Sequence, residues 1–284
     1  MKTQISFKTI VVCAALCAVS AVSSASAHPG ASTYAGIAST GAASLRSSVL
    51  VEGDGLTRTL AISENAPNSN VNVKAFDVDM QRRMHLIVVS DDLTQFMHVH
   101  PSLQADGTFR ITTTFPRPGV YHLYADAVPH GFGHSVFRFD VPIDATTPQT
   151  RSESFSPTTV ASVGPYRVRL STDELKAGVD NPMLIAITKS GEPASDLHPY
   201  LGAYAHIVAI GVKDLSYTHI HAMDMNAMVS GGSIDSDSSM ATNATVPATM
   251  DIHVTLPRPG LYKVWVQFMG GSHLYVAPLV VSVS

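Results

Sequence analysis

Residues 84–100 read Met84-His85-Leu86-Ile87-Val88-Val89-Ser90-Asp91-Asp92-Leu93-Thr94-Gln95-Phe96-Met97-His98-Val99-His100. An apolar run, a short acidic turn and a second run form the signature of a β-hairpin. A hairpin symmetric about Asp92 and Leu93 sets His85 directly opposite His100. His98 and His100 are two positions apart, so they project from the same face of a strand, and His85 shares that face. Opposed residues of an antiparallel pair have Cβ atoms about 5 Å apart, and diagonal ones about 7–8 Å. Three imidazoles are therefore expected to converge on one patch.

The arrangement returns later in the chain. Ala205-His206-Ile207-Val208-Ala209-Ile210 is followed by Lys213-Asp214-Leu215 and then by Tyr217-Thr218-His219-Ile220-His221. His206 precedes His219 by 13 positions and His221 by 15, the same intervals that separate His85 from His98 and His100. A second repeated element follows each hairpin. Phe115-Pro116-Arg117-Pro118-Gly119-Val120-Tyr121 matches Leu256-Pro257-Arg258-Pro259-Gly260-Leu261-Tyr262. His85 to Pro116 spans 31 positions and His206 to Pro257 spans 51, so the second copy carries an insert. Proline cannot donate to a central ladder, so Pro-Arg-Pro-Gly fits a corner that leads into a strand.

Each copy shows short alternating runs separated by turn signals, with no convincing helical period. Residues 71–78, Val71 to Val78, are expected to form one such strand. The pattern predicts an all-β fold, two tandem antiparallel immunoglobulin-like β-sandwich domains after a cleaved signal peptide. Residues 1–27 carry the signal features: Lys2 and Lys8, an apolar stretch, and Ala25-Ser26-Ala27 before the cut. Residues 28–48, rich in Ala, Gly and Ser, are expected to be a flexible leader. The first domain then covers 49–144, a linker 145–160, and the second domain 161–284 with a Met-, Ser- and Asp-bearing insert at 222–246.

Cys13 and Cys17 both lie in the signal segment. The processed chain then has no thiol, which excludes disulfides, thiolate metal sites and a cysteine nucleophile. Cleavage removes two lysines and leaves 16 basic and 22 acidic residues, a net charge of −6. No basic stripe stands out, so nucleic acid and anionic membrane surfaces are poor partners. No later apolar run is long enough to span a bilayer, so no membrane insertion is expected after cleavage. The expected location is the periplasm or the exterior. There is no nucleophile elbow, phosphate loop or dinucleotide fingerprint, so a binding role comes before an enzymatic one.

Neutral imidazole suits copper, zinc, iron or nickel. His85, His98 and His100, and His206, His219 and His221, are the candidate ligands. His134 and His273 are taken as repeat partners across a two-residue gap and as fourth ligands or supports. Met223, Met225 and Met228 follow the second hairpin, and thioethers select Cu(I), which favours copper with zinc as the other possibility. His28, the new N-terminus, would offer an amine and a ring nitrogen to Cu(II). The competing reading makes all these histidines half-buried structural residues bonded to backbone carbonyls or to Asp91, Asp92 and Asp214. The chain would then be an interaction protein that docks an envelope partner. A copper-dependent envelope oxidoreductase is a further alternative.

His85 to Leu93 with His98-Val99-His100-Pro101, Pro199-Tyr200-Leu201-Gly202-Ala203 with His206 and His219-Ile220-His221, and the two Pro-x-Pro-Gly-x-Tyr corners resemble one family. It comprises exported bacterial proteins, mostly uncharacterised, with tandem immunoglobulin-like domains, often found beside heavy-metal and copper-handling proteins. The resemblance covers about residues 50–283. It implies the fold and an association with copper, and supplies no catalytic residues. Ala222 stands where Pro101 follows the first His-x-His.

Overall fold

A computed structural model describes residues 30–40, 44–144, 154–223 and 245–284. These residues form strands and connecting turns, with no helix among them. The first half contains β1 (Ser32–Ala35), β2 (Ile37–Thr40), β3 (Arg46–Glu52), β4 (Thr57–Asn65), β5 (Phe76–Asp77), β6 (Met84–Ser90), β7 (Phe96–Val99), β8 (Ser102–Leu103), β9 (Phe109–Thr114), β10 (Gly119–Pro129) and β11 (Ser135–Ile143). The second half contains β12 (Val160–Val163), β13 (Tyr166–Thr172), β14 (Asp180–Lys189), β15 (Glu192–Pro193), β16 (Leu197–His198), β17 (Ala205–Gly211), β18 (Tyr217–Ala222), β19 (Thr249–Thr255), β20 (Gly260–Gly270) and β21 (His273–Val283).

Each half is a pair of antiparallel sheets around its own core. In the first, β1-β3-β4-β9-β8 faces β2-β11-β10-β6-β7, with β5 on the end of β10. In the second, β12-β13-β14 carries β19 and β15 on the far side of β14, and faces a sheet in which β20 takes β21 on one side and β17, then β18, on the other. The proline corners close in the same way in both halves. The Tyr121 hydroxyl donates to the Arg117 carbonyl at 2.9 Å, and the Tyr262 hydroxyl donates to the Arg258 carbonyl at 3.0 Å. Such a tyrosine corner ties an incoming loop to the strand that follows it.

Two expectations for local structure do not hold. The Ala/Gly/Ser stretch expected to be a flexible leader contains β1, paired with β3, and β2, paired with β11. Gly36 serves a close crossing between sheets, because a Cβ there would meet Phe139 at 2.9 Å and the Ser47 carbonyl at 3.1 Å. Residues 71–78 are not one strand either. Asn72 pairs with Asn65 at the end of β4, whereas Phe76 and Asp77 pair with β10 in the opposite sheet. The chain changes sheets within that segment, so alternation there reflects two different neighbours.

A third apolar core lies between the halves. β6 and β17 are buried at every position. Alternate side chains of a strand point to opposite faces. Leu86 and Val88 enter the first core, and Ile207 and Ala209 the second. Ile87, Val89, Val208 and Ile210 meet in the third, with Tyr124, Trp265 and Tyr217. Two aromatic stacks cross this contact at repeat-equivalent positions: Tyr124 on Tyr217 at 4.7 Å and Phe96 on Trp265 at 5.0 Å. The halves therefore pack about an approximate two-fold axis. The hairpin turns contribute Leu93 (φ 56°) and Leu215 (φ 58°), both buried in the shared core. A left-handed non-glycine residue costs about 1–3 kcal/mol. Burying a leucine side chain contributes about 1.5–3 kcal/mol, which offsets that cost.

Candidate metal centre

The two hairpins pair as their sequences predict. Leu86 faces Val99 and Ile87 faces His98, a register that carries on to set His100 across from His85. In the second half His206 faces His221 and Val208 faces His219. His85 shares the interdomain face of β6 with Ile87 and Val89, and His206 that of β17 with Val208 and Ile210. The approximate two-fold packing then sets one triad against the other. Ring centroids lie 5.3 Å apart for His85 and His219, 5.4 Å for His98 and His206, and 5.4 Å for His98 and His219. Ligand atoms of His85, His98, His206 and His219 all lie within 4.8 Å of one another, and this histidine group could hold a metal ion. Six imidazoles expected as two separate patches thus form one interdomain cluster.

The outward nitrogen of four rings is held by an acceptor. His85 Nε2 donates to the Asp79 carbonyl at 3.0 Å, and His206 Nε2 donates to the Tyr200 carbonyl at 2.9 Å. His98 Nδ1 donates to Gln267 Oε1 at 2.7 Å, and His219 Nδ1 donates to Asp126 Oδ2 at 3.3 Å. The last two bonds cross between the halves in opposite directions. Asp126 sits opposite His85 on β10, and Gln267 opposite His206 on β20, so these supports occupy repeat-equivalent places.

A neutral imidazole carries one ring proton, and the hydrogen bond at one nitrogen decides which. With these outward nitrogens protonated, His85 Nδ1, His98 Nε2, His206 Nδ1 and His219 Nε2 are bare lone pairs that point inward. His85 Nδ1 and His98 Nε2 face each other at 2.9 Å, and His100 Nε2 lies 3.2 Å from His98 Nε2. In the other triad His206 Nδ1, His219 Nε2 and His221 Nε2 are buried with no hydrogen-bond partner among the described residues. Both triads present the same atoms: Nδ1 of the first histidine, Nε2 of the second and Nε2 of the third. His100 can donate from Nε2 to His98 Nε2, but the facing lone pairs of His85 Nδ1 and His98 Nε2 repel unless a cation lies between them.

On five of the six rings a proton is a poor candidate for that cation. Burial first, and neighbouring imidazoles second, push His85 down to about 4, His98 to about 2, His100 to about 3 and His221 to about 2. His206 is lowered by the same two causes. Burial alone raises the Asp126 carboxyl, but hydrogen bonds from His134 and His219 outweigh it and hold it well below the usual carboxylate range. The Tyr217 hydroxyl donates to the same carboxylate at 2.8 Å. A cleft of ≈ 470 Å³ is lined by His219 and His134 and also by Arg138 and Arg258.

The other candidates fall in different places. His134 Nε2 bonds Asp126 Oδ1 at 2.6 Å, so it touches the centre only through that carboxylate. His273 is not its counterpart. Asp126 pairs with Val136, whereas Gln267 pairs with Val276, so two residues before the paired valine lie His134 in one half and Leu274 in the other. The hairpin between β20 and β21 is shorter, and His273 faces Gly270, exposed, with its ring against Ser272 and Tyr275. Met223 follows β18, half-buried, and His28, Met225 and Met228 lie outside the described residues. His122 is held at both nitrogens, by Asp91 at 2.9 Å and Asp140 at 2.7 Å, as a structural histidine should be. Asp126, Gln267 and Tyr217 were not singled out in the sequence. A usable signal exists, because Asp126 and Gln267 each stand five residues after the corner tyrosine.

The chain belongs to the family described as "Domain of unknown function (DUF8832)", whose model matches residues 41–145 and again 161–284. Each matched region falls on one of the two β halves that share the centre, the first without β1 and β2. No curated protein matches the chain.

Proposed function

We propose that this protein binds transition-metal ions at the six-histidine centre, one ion on each triad, and that the metal is copper. The observation that carries this is the inward lone-pair array, above all His85 Nδ1 and His98 Nε2 at 2.9 Å with both outward nitrogens committed to acceptors. Three nitrogens about 2.0–2.1 Å from an ion give an open three-ligand site of the kind that keeps a fourth position free.

Copper is favoured by the ligand set. Imidazole accepts both copper states, and Met223, Met225 and Met228 are soft donors next to the second triad in the sequence. Beyond residue 27 the chain has no cysteine to compete for the ion. With residues 1–27 read as a signal peptide, the protein acts in the periplasm or outside the cell. Burial of the rings between two halves fits retention of copper, as in buffering or resistance, better than rapid exchange.

Equilibrium dialysis of the chain from His28 against Cu(II), Cu(I) and Zn(II), with the metal content of the protein measured, tests the proposal. Two copper ions per chain are expected, lost in a His98→Ala/His219→Ala variant that stays folded. Metal content at background in the unaltered chain contradicts it.

A further inference from the structure

The two triads match atom for atom, but their supports do not. His219 is backed by the Asp126 carboxylate, and His98 by the Gln267 amide. Asp126 is buried and also accepts from Tyr217 and His134. Gln267 is neutral, and Leu274 stands where His134 would.

A carboxylate behind a ligating histidine fixes its tautomer, raises its basicity and adds attraction for the ion; losing such a support typically costs 10–100-fold in metal affinity. An amide fixes the tautomer only. We infer that the centre has two metal positions of unequal affinity, the His206/His219/His221 position filling first, and that Asp126 is the positioning residue that sets the difference. This inference rests on the metal-binding proposal above and adds an order of filling and its cause.

Asp126→Asn is the informative change because it can keep the contacts. The asparagine oxygen can accept from Tyr217 and His219, and its NH2 can donate to His134 Nε2 once His134 carries its proton on Nδ1. Only the charge is lost. Zinc, free of redox change, serves as the probe in calorimetric titrations of the chain from His28, with copper run in parallel.

The expected isotherm has two steps of one equivalent each. Asp126→Asn should weaken the tighter step by about 10–100-fold and leave the weaker one in place. His221→Ala should remove the tighter step and His100→Ala the weaker, which keeps the inference testable if the asparagine variant is poorly folded. Two equal steps, an equal loss at both steps in Asp126→Asn, or loss of the tighter step in His100→Ala each overturn the inference while the metal proposal stands; a single equivalent shared by four rings overturns the inference and, with it, the proposed one ion per triad. Absence of any zinc or copper binding overturns both.

Discussion

Nδ1 of His98 lies 2.7 Å from Oε1 of Gln267, a residue 169 positions later in the chain. The tautomer of a candidate ligand on one half is thus fixed by the other half. Asp126 returns the arrangement by holding His219. On the proposed function, ion binding and the packing of the two halves are one property. Gln267→Leu should lower metal affinity by about 10–100-fold, because the His98 ring is no longer held with Nε2 bare. The buried Nδ1–H left without an acceptor should also cost about 1–3 kcal/mol of stability. Titration calorimetry and urea unfolding check the two effects separately.

Trp265 is buried and stacks on Phe96, two residues before His98. Truncating a buried large aromatic residue to alanine costs about 3–5 kcal/mol. Trp265→Ala should lower the melting temperature and also weaken metal binding, since it loosens the contact that aligns the triads. Trp265→Phe should recover most of both. A variant that melts lower but binds copper with unchanged affinity would separate packing from the site.

Acid should destabilise the metal-free protein through its histidines. His85 titrates near 4 when folded, below the ordinary value of 6.5 that holds when the chain is unfolded. The unfolded chain then takes up a proton that the folded one does not. This contribution to stability is complete above pH 6.5 and is lost as pH falls from 6.5 toward 4, by about 1.4 kcal/mol per pH unit for each such ring. His98, His100 and His221 act in the same direction. Urea midpoints of the metal-free chain should fall steeply between pH 7 and pH 5, with the loss smaller in a His98→Gln variant.

Glu64 acts with the opposite sign. It is fully buried in the first half, with Ser135 donating to Oε2 at 3.2 Å, and burial raises its carboxyl to about 7. A raised folded value means stability present below the unfolded value of 4.5 and lost as pH rises toward 7. Glu64→Gln should stabilise the protein by up to about 3 kcal/mol at pH 8 and have little effect at pH 4.5. Chemical unfolding at the two pH values measures the difference.

Much of the centre was legible because strand geometry is periodic. A two-residue step places His98 and His100 on one face, and the acidic turn sets their register against His85. The duplication was visible as equal spacings. What the spacing does not carry is which outer face of each sheet is covered, so the union of the triads was not visible. The continuous apolar runs of β6 and β17 held that information, since a strand buried on both faces needs a second partner. Asp126 and Gln267 escaped notice because they lie on β10 and β20, outside the hairpins, and matter only through cross-strand register. His134 and His273 looked alike in sequence because one loop is shorter, and a one-residue slip in register reverses the face of a side chain.

The most direct test is anomalous diffraction from crystals of the copper-loaded chain, recorded on both sides of the copper absorption edge. Two anomalous peaks are expected between the halves, one within bonding distance of His85 Nδ1, His98 Nε2 and His100 Nε2, the other of His206 Nδ1, His219 Nε2 and His221 Nε2. Copper found elsewhere, with the six rings free of anomalous density, would contradict the proposed centre.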